Sequence, residues 1–337
     1  MSLRRIAYFF SMLFQSSEEE SDNFEKDKDF IMQLPYEILS MIFEYIDPKE
    51  LVKNCSPVCK NWNRMIISPE YWIERSKKEN CREILPPNEM LKDPQYGWNY
   101  AKIYVLKPFN RNLILNPSGE DGFNGWQSLD AHINLEIQTP GGHLESSHPD
   151  VNKCFVSSYM EGRKFCNIDL RNYGLTTQFL DKYKPTIYVS EMNSYREDAA
   201  AWYSLRVELN DGNIDRRREA HFDIGDRIIR FRYEKIVDQW TDSIWEKVEH
   251  IFSGYPDRSY CIFFDTIGKD RMFWAGNYGS KFCNATVMIK YEFNQPYVER
   301  NDFVSSPRAE IEDNFEVHHF MEEDEDSELS DDENLIH

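Results

Sequence analysis

The sequence predicts an α + β protein in which a small three-helix module leads, through a linker, into an antiparallel β-sandwich. Three observations carry this. Between Leu34 and Trp72, apolar residues recur at helical spacing and are punctuated by helix-start signals. From Arg111 onward the spacing changes to alternation within short runs separated by turn formers. Charged stretches, Ser16 to Lys28 and Tyr297 to His337, bracket the folded part. The predicted organisation is an N-terminal extension over 1–29, the helical module over 30–75, a linker over 76–110, the sandwich over 111–295 and an acidic tail over 296–337.

Leu34-Pro35 puts proline at a first helical position, where its missing N–H costs nothing. Ile38, Leu39, Ile42, Tyr45 and Ile46 then give that helix one apolar stripe. Asp47-Pro48-Lys49-Glu50 is a capping-box-like restart, in which the Asp47 carboxylate takes a first-turn N–H and Glu50 reaches back. Ser56-Pro57 repeats the device ahead of Val58, Cys59, Trp62, Met65 and Ile66. Ser68-Pro69 opens a last short turn with Tyr71 and Trp72. About forty residues in short helices bury little surface alone. Leu34-Pro35 and Ile38 form an apolar start with nothing obvious in the chain to cover it, so the module is read as a docking element.

The linker, Ser76 to Phe109, is broken by Pro86-Pro87 and Pro94 and carries Met90, Leu91, Trp98, Tyr100, Ile103 and Tyr104. A flexible tether would be richer in Gly and Ser, so this segment is expected to pack between the two halves. Glycines 119, 122 and 125 then sit among turn formers before Trp126, marking the edge of a β domain. Tyr203 to Leu209 and Ala285 to Phe293 alternate apolar with polar residues, which predicts strands with one buried and one wet face. Further strands are expected at Lys153 to Tyr159, Phe165 to Leu170, Thr186 to Ser190, Trp245 to Phe252 and Tyr260 to Asp265, with one helical turn at Thr176 to Tyr183. Short strands with little helix read as a sandwich.

The order Leu34-Pro35, Glu37-Ile38-Leu39, Ile42-Phe43, Leu51, Val58-Cys59, Trp62 and Trp72 resembles the F-box, which docks substrate receptors onto the Skp adaptor of cullin-RING ubiquitin ligases. The resemblance implies adaptor contact through Leu34, Pro35, Ile38, Leu39, Ile42, Val58, Cys59 and Trp62. A second likeness lies in NLILNPSGEDGFNGW, CFVSSYMEGRKFCNIDL and RMFWAGNYG, which are similar to the F-box-associated domain of sugar-recognising F-box proteins. It implies a sandwich of the galactose-binding, jelly-roll-like kind whose end loops grip the inner chitobiose of high-mannose N-glycans. The matching binders are Tyr159 after Ser157-Ser158, then Phe273 and Trp274. Ala275 stands where the family has lysine, and Asn277 where it commonly has a second tryptophan. One indole stacked on a sugar is worth about 1 to 2 kcal/mol, whereas a charged hydrogen bond adds roughly 1.5 to 3, so the lost lysine matters. The implied partners are the Skp adaptor, the cullin-RING scaffold and N-glycosylated clients in the cytoplasm; a receptor for a protein epitope without sugar is the alternative.

Net charge is −20, of which Tyr297 to His337 carries −13 with fifteen acids against Arg300 and Arg308. The acidic balance argues against nucleic acid as the main partner. Seven scattered cysteines without a C-x-x-C fit a reducing compartment. No run reaches the roughly eighteen apolar residues of a membrane span. Arg4-Arg5 followed by Ile6 to Phe14 has the outline of a signal peptide but lacks a small-residue cleavage site. No nucleophile elbow, phosphate loop or metal-spaced His/Cys cluster is present, so neither catalysis nor a cofactor is expected, and His143 and His148 read as loop residues. A hydrolase with two facing carboxylates is the remote alternative. Arg216-Arg217-Arg218 lies among acids and reads as a solvated loop; the sequons at Asn54 and Asn284 carry no meaning in a cytosolic chain; Ser327 and Ser330 have acids downstream.

Overall fold

Helix α1 (Tyr36–Glu44) starts directly after Pro35, whose carbonyl accepts from Leu39 N at 3.0 Å. The computed structural model describes residues 34–86, 97–127, 134–212 and 228–290; the N-terminal stretch, Met90 and Leu91, Pro94, Arg216-Arg217-Arg218 and the acidic tail lie outside them. Asp47 caps α2 (Pro48–Glu50), accepting from Lys49 N and Glu50 N at 2.9 and 3.3 Å, and the chain continues through a π-helical turn, Leu51–Cys55. Ser56-Pro57 does not restart a helix. The Ser56 hydroxyl is turned onto the Asn63 side chain at 2.7 Å, and α3 (Lys60–Ile66) begins later, with Cys59 Sγ accepting from Trp62 N.

Ser68 caps α4 (Pro69–Lys78) as expected, but α4 is ten residues long, well beyond a short turn. The extension buries Arg75 and Ser76, polar residues that an apolar-periodicity reading passes over. Arg75 is 4% exposed, and its guanidinium donates to the Phe43, Glu44 and Ile46 carbonyls at 3.2, 3.3 and 3.0 Å. A cation on one helix thus satisfies the open carbonyls at the end of another.

The connector contains α5 (Tyr100–Leu106), and Tyr104 packs on Trp72 with ring centroids 4.8 Å apart. Trp98 and Phe109 pack on Phe179 of α6 (Thr177–Tyr183) at 4.5 and 6.3 Å. One buried apolar cluster therefore runs from Leu39 to Ile289, through helices and sheets alike.

The strands are β1 (Leu135–Gln138), β2 (Cys154–Ser157), β3 (Gly162–Asp169), β4 (Ile187–Ser194), β5 (Ala201–Asn210), β6 (Ile229–Val237), β7 (Glu246–Phe252), β8 (Cys261–Asp270) and β9 (Lys281–Ile289). They form two sheets, β1-β2-β9-β4-β7 and β3-β8-β5-β6, in which all named strand pairs are antiparallel. Strands β1 and β6 were not expected from the sequence. The first is only four residues, while β6 does alternate but follows a charged run that reads as loop.

The expected wet faces are also only partly wet. Glu208 of β5 and Asp265 of β8 are each 1% exposed, because Arg230 covers the first at 3.0 Å and Arg163 and Arg206 grip the second at 2.7 and 2.8 Å. A central strand has neighbours on both sides, and their long cations lie across it. Between the sheets, Lys164 of β3 reaches Glu191 of β4 at 2.7 Å with both side chains fully buried. Tyr203 and Thr266 donate to the other Glu191 oxygen, and the Lys164 ammonium sits 3.6 Å from the Trp126 ring centroid. The β4–β9 register slips at this level, where Asn284 takes φ +53 and its side chain is held by Ser118 and the Asp150 carbonyl.

Candidate functional site

Two surfaces at separate parts of the chain hold the expected binders. On α1 the apolar residues fall into two sets. Leu39, Ile42 and Phe43 are buried, whereas Ile38 (41%), Met41 (58%) and Tyr45 (82%) are exposed. Residues 38, 41 and 45 follow the i, i+3, i+7 spacing of one helix face, so α1 carries an inner stripe and an uncovered outer one. Pro35 is exposed, and Leu34, Val58 and Cys59 are half-buried. Three of the expected contact residues are thus redirected inward: Leu39 and Trp62 are 1% exposed and Ile42 is 8%, and Trp62 meets Phe43 edge-on at 5.0 Å. They hold the module together. Met41 was absent from the expected set, though its three-residue offset from Ile38 is readable in the sequence.

The second surface is the end of the sandwich where β2 stops and β8 passes into the loop to β9. The Ser158 carbonyl accepts from Asp270 N at 2.7 Å and the Ser157 carbonyl from Gly279 N at 2.8 Å, so both ends of the 270–279 loop are sewn to the strand that delivers Tyr159. Only glycine fits at 279, because a Cβ there would lie 2.5 Å from Asp270 N. Asp270, fully buried, turns its carboxylate on the loop and accepts from Met272 N at 2.7 Å and Trp274 N at 3.0 Å. It is the residue that shapes the loop, and its signal in the sequence is an aspartate just ahead of a turn.

Held this way, Phe273 takes φ +58 and is 72% exposed. Trp274 is half-buried, edge-on to Tyr278 at 5.9 Å, and Arg196 lies over Tyr278 at 5.1 Å. Tyr159 is 41% exposed. The three expected aromatics therefore share one loop end. Ala275 is exposed, and Asn277 donates to Glu136 at 2.7 Å. Four cations surround the loop: Arg196 is forked onto Asp198, Arg271 reaches Asp238 at 3.1 Å and Lys281 reaches Glu145 at 2.7 Å. Lys269 faces the Phe273 ring at 5.7 Å and has no carboxylate partner among the described residues.

Residues 104–289 match the F-box associated region family, and residues 31–78 match the F-box-like family. The chain belongs to the F-box proteins that carry this associated region. F-box only protein 6 of Bos taurus is 32% identical, covering 77% of this chain and 93% of its own length. F-box only protein 44 of Mus musculus is 30% identical, covering 77% and 96%. Such an F-box protein has the architecture of a substrate-recognition subunit. Solved structures similar to the chain include a carbohydrate-binding module in complex with β-1,4-galactotriose, 12% identical over 53% of this chain and 99% of that one, TM-score 0.32. A xylan-binding domain from Paenibacillus barcinonensis is 11% identical over 51% and 97%, TM-score 0.30. Likenesses this loose carry no functional inference. Within the family frame, the F-box match coincides with the two-faced α1 and the associated-region match ends on β9, which closes the aromatic loop.

Proposed function

We propose that this F-box protein is the client receptor of a Skp–cullin–RING ubiquitin ligase, acting in the cytoplasm on misfolded N-linked glycoproteins, which it grips by the inner chitobiose. The adaptor end is the outer face of α1 with Leu34, Pro35 and the Val58-Cys59 edge; the client end is the loop that carries Phe273 and Trp274. The observation behind the glycan reading is a pair of adjacent aromatics on a loop pinned by Asp270 and Gly279, one of them 72% exposed. A pyranose offers a face of C–H groups to such a ring, and a preorganised loop loses little entropy on binding. Lys269, the cation beside Phe273, supplies the charged donor that Ala275 lacks.

The mechanism is positional. The receptor raises the effective concentration of client lysines near the ubiquitin-loaded enzyme and makes no bond itself. Asp198 is held below the usual carboxylate range by the Arg196 hydrogen bonds, and Glu136 by those from Gln138 and Asn277. Both are ionised at neutral pH, which suits acceptors of sugar hydroxyls better than general acids. Unfolding exposes inner sugars, which couples capture to misfolding and to degradation of glycoproteins returned from the endoplasmic reticulum.

Capture of a high-mannose glycoprotein by the full chain tests this. W274A should abolish capture, and K269M should weaken it about tenfold through loss of one charged hydrogen bond. Capture that persists after enzymatic removal of the glycan would instead support a protein epitope, the reading that Ala275 and Asn277 favour.

A further inference from the structure

The candidate loop belongs to a larger cluster at the same end of the sandwich, which also includes the loop after Val237. Ala201, at the start of β5, pairs with Val237 on one side and Asp270 on the other. The loops that follow Val237 and Asp270 therefore leave the sheet two strand spacings apart, about 10 Å. They are tied to each other and to the 195–200 turn: Arg271 bonds Asp238, Arg271 N donates to the Ala200 carbonyl, Gln239 donates to the Asp198 carbonyl and Trp240 N to the Glu197 carbonyl.

Trp240 is 71% exposed at φ +67. Of the nine non-glycine residues with positive φ among the described residues, three are apolar, Leu144, Trp240 and Phe273, and Glu197 N bonds the Leu144 carbonyl, which places all three in this cluster. The other six are asparagine, lysine or arginine. A left-handed backbone is strained for a bulky side chain, and an exposed indole gains nothing from folding to offset it. Residues kept in that state against both costs mark a place where the exposed ring is used.

We propose that Trp240 is a second stacking subsite, which takes a mannose-bearing part of the same glycan whose inner sugars lie on Phe273 and Trp274. This rests on the glycan reading and extends it from a disaccharide to a longer oligosaccharide. The choice of sugar over an apolar peptide follows from the surroundings. Asp238, two residues away, has its side chain 90% exposed, and Asp242 follows on the same loop. Carboxylates beside an aromatic ring accept from hydroxyls while the ring covers C–H groups; an apolar segment would strip water from the exposed Asp238–Arg271 pair and from Asp242 and offer no hydrogen bonds in its place. The two-strand offset between the loops gives room for more than one ring along the surface.

Calorimetric titration of the full chain with chitobiose and with the trimannosyl-chitobiose pentasaccharide separates the two readings. The wild type should bind the pentasaccharide more tightly than chitobiose. W240A should lower pentasaccharide affinity roughly tenfold, the worth of one stacked indole, and leave chitobiose affinity unchanged; W274A should lower both. W240G removes the ring and relieves the strained φ, so its Tm should equal or exceed that of the wild type while pentasaccharide affinity falls, which excludes unfolding as the cause. An unchanged ratio between the two sugars in W240A, or an equal loss of both, overturns the subsite while leaving chitobiose recognition standing. Failure of the wild type to bind either sugar removes the glycan reading and this one together.

Discussion

At the scale of single residues, the buried charge between the sheets is the feature on which the sandwich is most exposed to mutation. Lys164 and Glu191 come from different sheets and meet at 2.7 Å with no solvent access. Each has further partners: Tyr203 and Thr266 donate to Glu191, while Lys164 faces Trp126, Phe155, Phe282 and Phe264 within 3.6 to 5.7 Å of their centroids. Removing one ion of such a pair leaves the other buried and uncompensated, a loss of about 3–5 kcal/mol. K164M should therefore destabilise the chain by that order in urea unfolding. E191Q should cost less, because the ammonium keeps its aromatic ring and the amide oxygen can still accept from Tyr203. The double variant K164M/E191Q should cost less than the sum of the two single losses; if they simply add, the pair is not coupled and the reading of it as one unit fails.

At the scale of the element, α1 does two jobs on opposite faces, and substitutions should separate them. L39A removes a side chain 1% exposed and should cost about 2–5 kcal/mol of stability, read as a fall in Tm. M41E and Y45E alter residues 58% and 82% exposed, so Tm should hold while co-purification with the Skp adaptor is lost. Retained adaptor binding in M41E/Y45E would place the docking surface elsewhere. The sequence shows that α1 is apolar and where it starts, because Pro35 and the spacing are local facts. It cannot show which apolar stripe faces inward, since that depends on Trp62 of α3 and the Arg75 cap from α4, set by tertiary packing. The same holds at the sandwich end. Tyr159, Phe273 and Trp274 were legible as a group, but Trp240 was not, because only the pairing of Ala201 with both Val237 and Asp270 brings its loop alongside theirs. Strand β6 was missed beside a charged run, and the depth of Glu208 and Asp265 was invisible because side chains from neighbouring strands bury them.

For the whole molecule, the distribution of shifted groups predicts an asymmetric dependence of stability on pH. On the acid side five carboxylates among the described residues are lowered: Asp198, Glu136 and Glu249 first by hydrogen bonds from Arg196, Gln138 and Tyr188, and Glu79 and Asp169, despite the opposing effect of burial, by hydrogen bonds from Tyr104 and Arg75 and from Arg171. Their folded values lie below the unfolded ones of about 3.9 to 4.3, so the stability they add is present above that range and is lost as pH falls through the folded values. None of the five is fully buried, so solvent screens the gain and the acid limb should be shallow. On the alkaline side burial pushes Cys55 up to about 11 and Cys154 and Cys166 up to about 12, and it raises Cys283 as well. Burial likewise pushes Tyr71 and Tyr100 up to about 12 and raises Tyr203 beside Glu191. In the unfolded chain these thiols ionise near pH 8.5 and the phenols near 10, while in the folded chain they stay protonated. The folded state then binds more protons than the unfolded one, and stability must fall as pH rises, by about 1.4 kcal/mol per pH unit for each such group. Urea midpoints should be flat from roughly pH 5 to 8 and fall steeply above about pH 9, with the four thiols acting before the tyrosines. Replacing Cys154 and Cys166 with alanine should lower the plateau through lost packing and make the alkaline limb less steep; an unchanged slope would show that other groups drive it.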